Sequence, residues 1–220
     1  MENESMRKPK ILCLHGFRTS AHIYKCMCRK LGESILEKLD LDFIDAPFPA
    51  QGKSAAQGFY DPPYYEWFQT NQNFTEYYNF DECVAFLEDY MAKHGPYDGL
   101  MGFSQGAVLS SGLIGMQKHG DALKNIPKLK FVILISGGRF GGTKFGTPKL
   151  ASNAFSSPIE CPSLHFLSEQ DFLKVEGDFL FESFVDPVAI HHSMGHTVPI
   201  MEGENTKIML DFIERIQKLL

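Results

Sequence analysis

The sequence GLMGFSQG, residues 99–106, is an apolar run that ends in the pattern G-x-S-x-G. In this pattern a strand turns sharply into a helix, and the serine, here Ser104, is presented above the edge of a sheet. Gly102 and Gly106 lack the Cβ atoms that would collide where strand and helix come together. Because so short a pattern also occurs by chance, the context matters: a strand-like run precedes it and a helical pattern follows over 105–119. The stretch therefore predicts a nucleophilic serine on an α/β fold.

Short apolar runs alternate with helical patterns along the rest of the chain. Strands are predicted at 11–14, 41–44, 99–103, 131–135, 164–167 and 188–191. A helix is predicted after Ser20, with one apolar face formed by Ile23, Met27, Leu31, Ile35 and Leu39. Another is predicted to begin with a capping box of Asn79 and Glu82. Apolar strands separated by helices indicate a mostly parallel sheet of about six strands with helices on both faces.

Composition is that of an ordinary globular protein. The 220 residues, 44% of them hydrophobic and 22% charged, predict one domain over residues 1–220. A net charge of −6 argues against nucleic-acid binding, which needs clustered positive charge. No run approaches the ~20 apolar residues that span a bilayer. The polar stretch from Met1 to Lys10 lacks the apolar core of a signal peptide.

Cysteine usage predicts the compartment. The five cysteines form no CxxC pair, and their odd number argues against a disulfide framework. Free, mostly buried thiols are typical of intracellular proteins. We therefore expect a cytoplasmic protein, or one that is both cytoplasmic and nuclear.

The stretch 47–74 interrupts the alternation of strands and helices, and it is rich in Pro, Gly and aromatic residues. A connection of that length inside a compact domain is usually functional or mobile. We interpret it as a candidate lid or pocket wall, with surface decoration as the alternative. Four aromatic residues are candidates to wall a substrate pocket, with core packing as the alternative: Tyr64, Tyr65, Trp67 and Phe68.

A serine hydroxyl needs a base, and in this fold both the acid and the histidine follow the serine in the chain. Five histidines follow Ser104: His119, His165, His191, His192 and His196. His119 ends the helix after the serine, and His165 lies within a predicted strand. His196 lies in the loop beyond the last predicted strand, where a base can reach the serine. We predict His196 as the base, with His192 as the alternative.

The acid is expected in the loop after the preceding predicted strand, 164–167. Asp171 lies four residues beyond that strand. Glu169 is the closest rival, and Asp178 and Asp186 are weaker ones. A carboxylate buried against an imidazole holds its tautomer and stabilises the imidazolium that forms. We predict Asp171 as the acid, with a loop aspartate that caps the next helix as the alternative.

Two backbone N–H groups are candidate donors to the oxyanion. One belongs to Gln105, immediately after the nucleophile, and the other to Phe17, in the loop after the first predicted strand. Gly16 would let this loop approach the ester closely. Each such donor is typically worth a factor of ~10²–10³ in rate. His15 precedes Ser104 in the chain, so we interpret it as a residue that braces the loop, with direct catalysis as the alternative.

In combination these motifs resemble the FSH family of serine hydrolases, small α/β-hydrolases first grouped in yeast and related to the human ovarian-cancer-associated hydrolase. The chain resembles the plant branch in particular. The matching segments are 11–18, 45–47, 64–68, 99–106 and 191–199. The resemblance implies a small α/β-hydrolase fold with Ser104, Asp171 and His196 as its catalytic residues. One departure is Ser168, since the family often has a glycine near the start of the acid loop.

Family members include esterases and fungal enzymes that release polyketides from a carrier protein, which implies an ester or thioester substrate. We predict a serine hydrolase that cleaves a small-molecule acyl ester or thioester through an acyl-enzyme intermediate. No metal or other cofactor is predicted, because the histidines at 191, 192 and 196 lack Cys or carboxylate partners in ligand spacing. The alternatives are a hydrolase-fold receptor for a small ligand and an acyltransferase, which differs from a hydrolase in excluding water.

Overall fold

A wholly parallel sheet forms the centre of the computed structural model, which describes residues 7–220. Within that part of the chain its strands are β1 (Lys10–Leu14), β2 (Asp40–Ile44), β3 (Gly99–Phe103), β4 (Phe131–Ile135), β5 (Ser163–Ser168) and β6 (Val188–His192). Their order is β6-β5-β4-β3-β1-β2, and every neighbouring pair is parallel. The prediction of a mostly parallel, six-stranded sheet is confirmed.

Helices cover both faces of this sheet. Those in the described residues are α1 (Ala21–Cys28), α2 (Glu33–Leu36), α3 (Phe80–His94), α4 (Gln105–His119), α5 (Lys174–Phe181) and α6 (Gly203–Gln217), with 3₁₀ turns at Arg29–Leu31 and Lys149–Ala151. Helices α3 and α4 pack in one apolar layer, and α1 and α6 pack in the other. Successive strand residues alternate between the layers: Leu12 belongs to the first and Cys13 to the second. The central strands β3 and β4 are apolar throughout because both of their faces are buried.

The strand order reverses between β1 and β3. From β1 the chain passes outward to β2 at the edge, and it then returns to β3 on the other side of β1. Leu14 at the end of β1 is in register with Gly102 near the end of β3. At such a reversal, the loops that leave neighbouring parallel strands diverge and form a crevice. The loops that carry His15 and Ser104 therefore begin side by side.

The segment 47–74 contains short strands that the sequence analysis did not predict. Two antiparallel ladders lie in and just beyond it, Phe48–Pro49 with Tyr65–Glu66 and Gln69–Thr70 with Tyr77–Tyr78. Each strand has only two residues, which is too short for the alternation of apolar and polar residues to reveal it.

The helix predicted after Ser20 is broken. Its first part, α1, ends at Cys28, and Gly32 with φ +85° separates the following 3₁₀ turn from α2. A glycine adopts this conformation readily, so the apolar face continues across the break while the helix does not. Ser20 caps α1 as predicted: its hydroxyl oxygen accepts a hydrogen bond from the N–H of Ile23 at 3.3 Å.

The capping box predicted at the start of α3 is wrong. Asn79 has φ +60°, which is left-handed, instead of the extended conformation of an N-cap residue. Its side-chain Nδ2 donates to Oε1 of Gln69 at 2.7 Å. The side chain of Asn79 therefore bonds to Gln69 in a neighbouring ladder, and the capping-box pattern of residues 79 and 82 does not include that partner.

All five cysteines are free, and Cys13, Cys28 and Cys83 are buried. The prediction of free, mostly buried thiols is confirmed. No helix within residues 7–220 combines the length and the apolar character needed to cross a bilayer. Part of the polar N-terminal stretch, residues 1–6, lies outside the described residues.

Candidate active site

Ser104 occupies a strained turn between β3 and α4. Its φ of +53° and ψ of −118° lie outside the regions that a residue with a side chain ordinarily adopts. Glycines make the turn possible. A Cβ on Gly102 would lie 2.3 Å from the carbonyl oxygen of Gly106, and a Cβ on Gly106 would lie 2.0 Å from the carbonyl oxygen of Leu14. As predicted from the pattern, the two glycines are needed because a Cβ atom at either position would collide where strand and helix come together.

The imidazole of His196 reaches Ser104 from the loop after β6. Its Nε2 is 2.9 Å from the serine Oγ, and its Nδ1 is 2.8 Å from Oδ1 of Asp171. An ionised carboxylate only accepts hydrogen bonds, so Nδ1 carries the proton and Nε2 is left to accept from the serine hydroxyl. The structure thus brings together the residues predicted as nucleophile, base and acid.

Asp171 is buried in the loop after β5. Burial raises its pKa, but the hydrogen bonds that it accepts from His196 and from the backbone N–H of Leu173, both 2.8 Å, outweigh burial and lower the pKa below the ordinary 3.8. The carboxylate is therefore ionised at neutral pH, in the state that can stabilise an imidazolium.

Two of the alternative acids, and the alternative base, have other partners. Glu169 and Asp178 both pair with Lys174, at 3.3 and 2.6 Å. Nδ1 of His192 accepts a hydrogen bond from the backbone N–H of Met194 at 3.2 Å. Among the described residues, only Asp171 forms an ion pair with the imidazole at 196.

Ser168 joins the acid loop to the histidine loop. Its hydroxyl oxygen accepts hydrogen bonds from the backbone N–H groups of Gln170 and Gly195, both at 3.2 Å. A glycine at this position would offer neither bond. The departure from the family pattern therefore adds a connection between the loops that carry Asp171 and His196. The sequence analysis missed this role, although a hydroxyl residue at the start of a loop is a typical acceptor for backbone N–H groups.

Two aromatic rings hold the imidazole of His196. The ring of Phe103 lies 5.1 Å and that of Phe172 lies 4.3 Å from it, between centroids. Phe172 follows the acid directly, and 69% of its surface is exposed. The sequence analysis missed Phe172; the available signal was a large apolar residue in a loop beside a predicted catalytic acid.

The loop after β1 lies directly against the serine turn. A Cβ on Gly16 would lie 2.8 Å from Cδ1 of Phe103 and 3.4 Å from Cβ of Ser104. Only glycine permits this close approach. Within residues 7–220, the backbone N–H groups of Phe17 and Gln105 donate to no protein acceptor. Both groups predicted as oxyanion donors are therefore available to a ligand.

His15 braces this loop and is fully buried. Its Nδ1 donates to the carbonyl oxygen of Gly16 at 2.8 Å, and its Nε2 accepts from the backbone N–H of Ala46 at 3.0 Å. Burial lowers the pKa of His15 to about 4, so the ring is neutral at ordinary pH. With both nitrogens engaged, the side chain has no nitrogen left for proton transfer to a substrate.

Trp67 lies behind the oxyanion loop. Its indole Nε1 donates to the carbonyl oxygen of His15 at 2.8 Å, and its backbone N–H donates to Oε1 of Gln105 at 3.1 Å. The side-chain Nε2 of Gln105 donates in return to the carbonyl oxygen of Phe68 at 2.8 Å. Residues 67 and 68 therefore connect the loop of Phe17 to the first residue of α4.

An apolar pocket of about 170 Å³ opens beside Ser104. Its walls are mainly aromatic and include Phe68, Phe74, Tyr77, Phe140, Phe145 and Phe172. Of the four predicted wall residues only Phe68 lines it, and the prediction for Tyr64, Tyr65 and Trp67 is wrong. Trp67 is fully buried in the core, Tyr64 bonds through its hydroxyl to the carbonyl oxygen of Tyr60, and Tyr65 belongs to a ladder.

Solved structures share this architecture. A carboxylesterase from Mesorhizobium loti superposes with a TM-score of 0.60 at 12% identity, over 94% of this chain and 88% of that one. SOBER1 of Arabidopsis thaliana gives a TM-score of 0.54 at 20% identity, over 95% of this chain and 99% of that one. Likeness at such low identity shows the fold alone. The protein has the α/β-hydrolase fold, with a serine at the turn where that fold places its nucleophile.

A family model described as serine hydrolase (FSH1) matches residues 2–208. The chain belongs to this family of serine hydrolases, which confirms the resemblance found in its motifs.

Similar proteins include two named esterases. Esterase OVCA2 of Mus musculus is 27% identical over 94% of this chain and 96% of its own length. An esterase of Anopheles gambiae is 28% identical over 96% of this chain and 79% of its own. Rhodanese-like domain-containing protein 6 of Arabidopsis thaliana is 27% identical over 90% of this chain, which spans 37% of that protein.

Proposed function

We propose that this serine hydrolase cleaves carboxylic esters and thioesters through an acyl-enzyme intermediate on Ser104. The observation that carries the proposal is the pair of hydrogen bonds from Asp171 through His196 to the serine hydroxyl. The esterase names of the relatives from mouse and mosquito support an ester substrate. A thioester presents the same acyl carbonyl to the serine, so the same machinery serves both.

In the acylation step, Oγ of Ser104 attacks the acyl carbonyl carbon while Nε2 of His196 takes the hydroxyl proton. Asp171 accepts the Nδ1–H hydrogen bond and stabilises the imidazolium. The N–H groups of Phe17 and Gln105 donate to the oxyanion of the tetrahedral intermediate. As the intermediate collapses, the imidazolium returns its proton to the leaving alcohol or thiol, and the acyl group stays on the serine.

Deacylation repeats these steps with water. His196 takes a proton from a water molecule, which attacks the acyl-enzyme carbonyl, and the imidazolium then returns the proton to Oγ of Ser104. The products are a carboxylic acid and the free enzyme. Phe17 and Phe172 at the mouth of the pocket are 47% and 69% exposed, so the mouth is open to water. This openness favours hydrolysis over acyl transfer.

The pocket supports a small, apolar acyl group. Its walls are aromatic, and its volume of about 170 Å³ is small beside the ~300–1,000 Å³ of drug-sized ligand pockets. We therefore expect short acyl chains to be cleaved faster than long ones.

The proposal is tested with p-nitrophenyl esters from acetate to octanoate and with the matching acyl thioesters. Wild type is expected to hydrolyse both, and Ser104→Ala is expected to lose up to about 10⁶-fold in kcat, as other serine hydrolases do without their nucleophile. Ser111→Ala is the control, since Ser111 is a buried serine on the same helix that donates to the carbonyl oxygen of Val108. Folded wild type that cleaves no ester or thioester would overturn the proposal and favour the receptor alternative.

A further inference from the structure

The apolar pocket contains one basic side chain among its lining residues, Lys144. Its ammonium lies 5.1 Å from the ring centroid of Phe172 and 5.6 Å from that of Phe74. The residue is exposed to solvent, and its ammonium lies over the aromatic wall. A cation is therefore present at the rim of a pocket that is otherwise suited to an apolar group.

Basic residues next to other parts of the rim are neutralised by carboxylates. Arg18, which follows the pocket residue Phe17, pairs with Glu66 at 2.6 Å. Lys174, which follows the pocket residue at 173, pairs with two carboxylates at 2.6 and 3.3 Å. Among residues 7–220, no carboxylate forms an ion pair with Lys144. Within the described residues its ammonium therefore has no carboxylate at ion-pair distance, and the nearby carboxylate of Glu176 bonds instead to its backbone N–H.

The backbone of Lys144 is held in place. Its N–H donates to Oε1 of Glu176 at 2.7 Å, and the hydroxyl of Thr143 donates to the same oxygen. Glu176 is buried on α5. The adjoining part of the loop is held as well, because the hydroxyl of Tyr77 donates to the carbonyl oxygen of Gly146 at 2.9 Å. Because the backbone of Lys144 is fixed, the ammonium can move only as far as its own side chain allows.

Lys144 is also close to the reacting groups. The ring of Phe172 that lies 5.1 Å from the ammonium lies 4.3 Å from the imidazole of His196, between ring centroids. A single aromatic side chain therefore contacts both the cation and the base. Because Ser104 and Lys144 line the same pocket, a substrate with its acyl carbonyl at Ser104 can bring a second polar group to Lys144.

We propose that Lys144 recognises a negatively charged group on the substrate, and that the preferred substrates are esters or thioesters that carry an anion besides the acyl carbonyl. This inference rests on the proposed function, because it assumes acyl transfer to Ser104. The anion has two chemical sources, a carboxylate at the far end of the acyl chain or a carboxylate or phosphate on the leaving group. Both would meet the ammonium in the same way, as a charge-assisted hydrogen bond beside an apolar wall.

The test measures kcat/KM for two pairs of esters in which only the charge differs. The first pair is the p-nitrophenyl half-ester of adipic acid and its methyl-capped diester, which place the charge on the acyl chain. The second pair is 4-acetoxybenzoate and its methyl ester, which place it on the leaving group. The enzymes are wild type, Lys144→Met and the control Lys174→Met. Methionine keeps an unbranched apolar stem and removes the charge.

Wild type is expected to favour the charged member of at least one pair, and the pair that shows the preference identifies the source of the anion. Lys144→Met is expected to lower that preference about fivefold, the upper range for a partly exposed charge pair, and to leave the capped esters unchanged. Lys174→Met is expected to keep it. Raising the ionic strength from about 0.01 M to about 0.15 M, which shortens the Debye length from about 30 Å to about 8 Å, should weaken it in wild type.

Two results would overturn the inference, and they are distinguishable. If wild type hydrolyses the capped esters and Lys144→Met has the same charged-to-capped ratios as wild type, then Lys144 does not recognise an anion and the ester hydrolase proposal stands. If wild type hydrolyses none of the four esters while Ser104→Ala has the same background rate, the proposed function fails together with the inference.

Discussion

The serine turn at 99–106 and the segment 47–78 both contribute to the active site, but they are held in place differently. In the turn, backbone packs on backbone so closely that a Cβ on Gly106 would lie 2.0 Å from the carbonyl oxygen of Leu14. In the segment, the buried carboxylate of Glu66 accepts hydrogen bonds from Arg18 at 2.6 Å and from the backbone N–H of Gln51 at 3.1 Å. One region is determined by steric exclusion, and the other by polar partners that are distant in the chain.

This difference explains which region can be interpreted from local sequence. A steric requirement leaves a glycine at the position where it acts, so a short pattern contains the whole reason for it. A hydrogen bond between distant residues leaves only two ordinary polar residues. The comparison predicts that substitutions of the turn glycines damage the fold, whereas loss of a hydrogen bond from the segment to the oxyanion loop damages catalysis and leaves the fold intact.

The largest effect is expected for Gly106→Ala. The new Cβ would overlap backbone atoms of β1, which cannot move without separating the sheet from α4. We expect a loss of unfolding free energy above about 4 kcal/mol, the range reached only by severe disruption. Urea unfolding followed by circular dichroism measures it.

Gly177→Ala is the matched control in another helix, α5. Its Cβ would lie 3.2 Å from Cδ2 of Leu167, a side-chain end that can move. The expected change in unfolding free energy is within about 1 kcal/mol, because alanine is also the better helix former. Equal stabilities of the two variants would show that the turn is not sterically determined.

A smaller effect is expected for Trp67→Phe. Phenylalanine keeps an aromatic ring in the core and removes the Nε1–H that donates to His15. The loop of Phe17 then loses one of its supports, so we expect kcat to fall about tenfold and KM to stay nearly unchanged. This loss is smaller than the ~10²–10³-fold loss in rate expected when an oxyanion donor is removed outright. The affinity for an alkyl boronic acid, an analogue of the tetrahedral intermediate, should weaken by the same factor.

Tyr64→Phe is the control for this experiment. It removes a hydroxyl from the same segment. That hydroxyl donates to the carbonyl oxygen of Tyr60 and does not bond to either oxyanion loop. Its kcat should match wild type. A rise in KM at constant kcat in Trp67→Phe would contradict the role of Trp67 as a support of the oxyanion loop.

A pH-dependent effect on stability is expected at His15, which lies where the two regions meet. Its pKa is lowered by burial from 6.5 to about 4, so the unfolded chain binds more protons than the folded protein between these values. The unfolding free energy is therefore expected to fall as the pH is lowered from 6.5 towards 4. His165 adds to this fall, since burial lowers its pKa to about 3. Urea unfolding at several pH values measures the slope, and a flat profile would contradict the neutral, buried state of both rings.

Much of the fold could be predicted from the sequence. Strands that are buried on both faces are continuous apolar runs, and the G-x-S-x-G pattern marks the turn from β3 into α4. The order of residues along the chain was also enough to nominate Ser104, Asp171 and His196, which the structure brings within hydrogen-bond distance. The roles of Trp67 and Ser168 could not be predicted. Each acts by bonding to a loop that is distant in the chain, and nothing in their neighbouring residues indicates that loop.

The most direct test of the account is to locate the nucleophile chemically. Wild type, Ser104→Ala and His196→Ala would be treated with a fluorophosphonate, and the modified peptide would be identified by mass spectrometry. The account predicts one adduct per chain on Ser104 in wild type, none in Ser104→Ala, and much slower labelling in His196→Ala, because the base activates the hydroxyl. An adduct on another residue, or no adduct on the folded wild type, would contradict it.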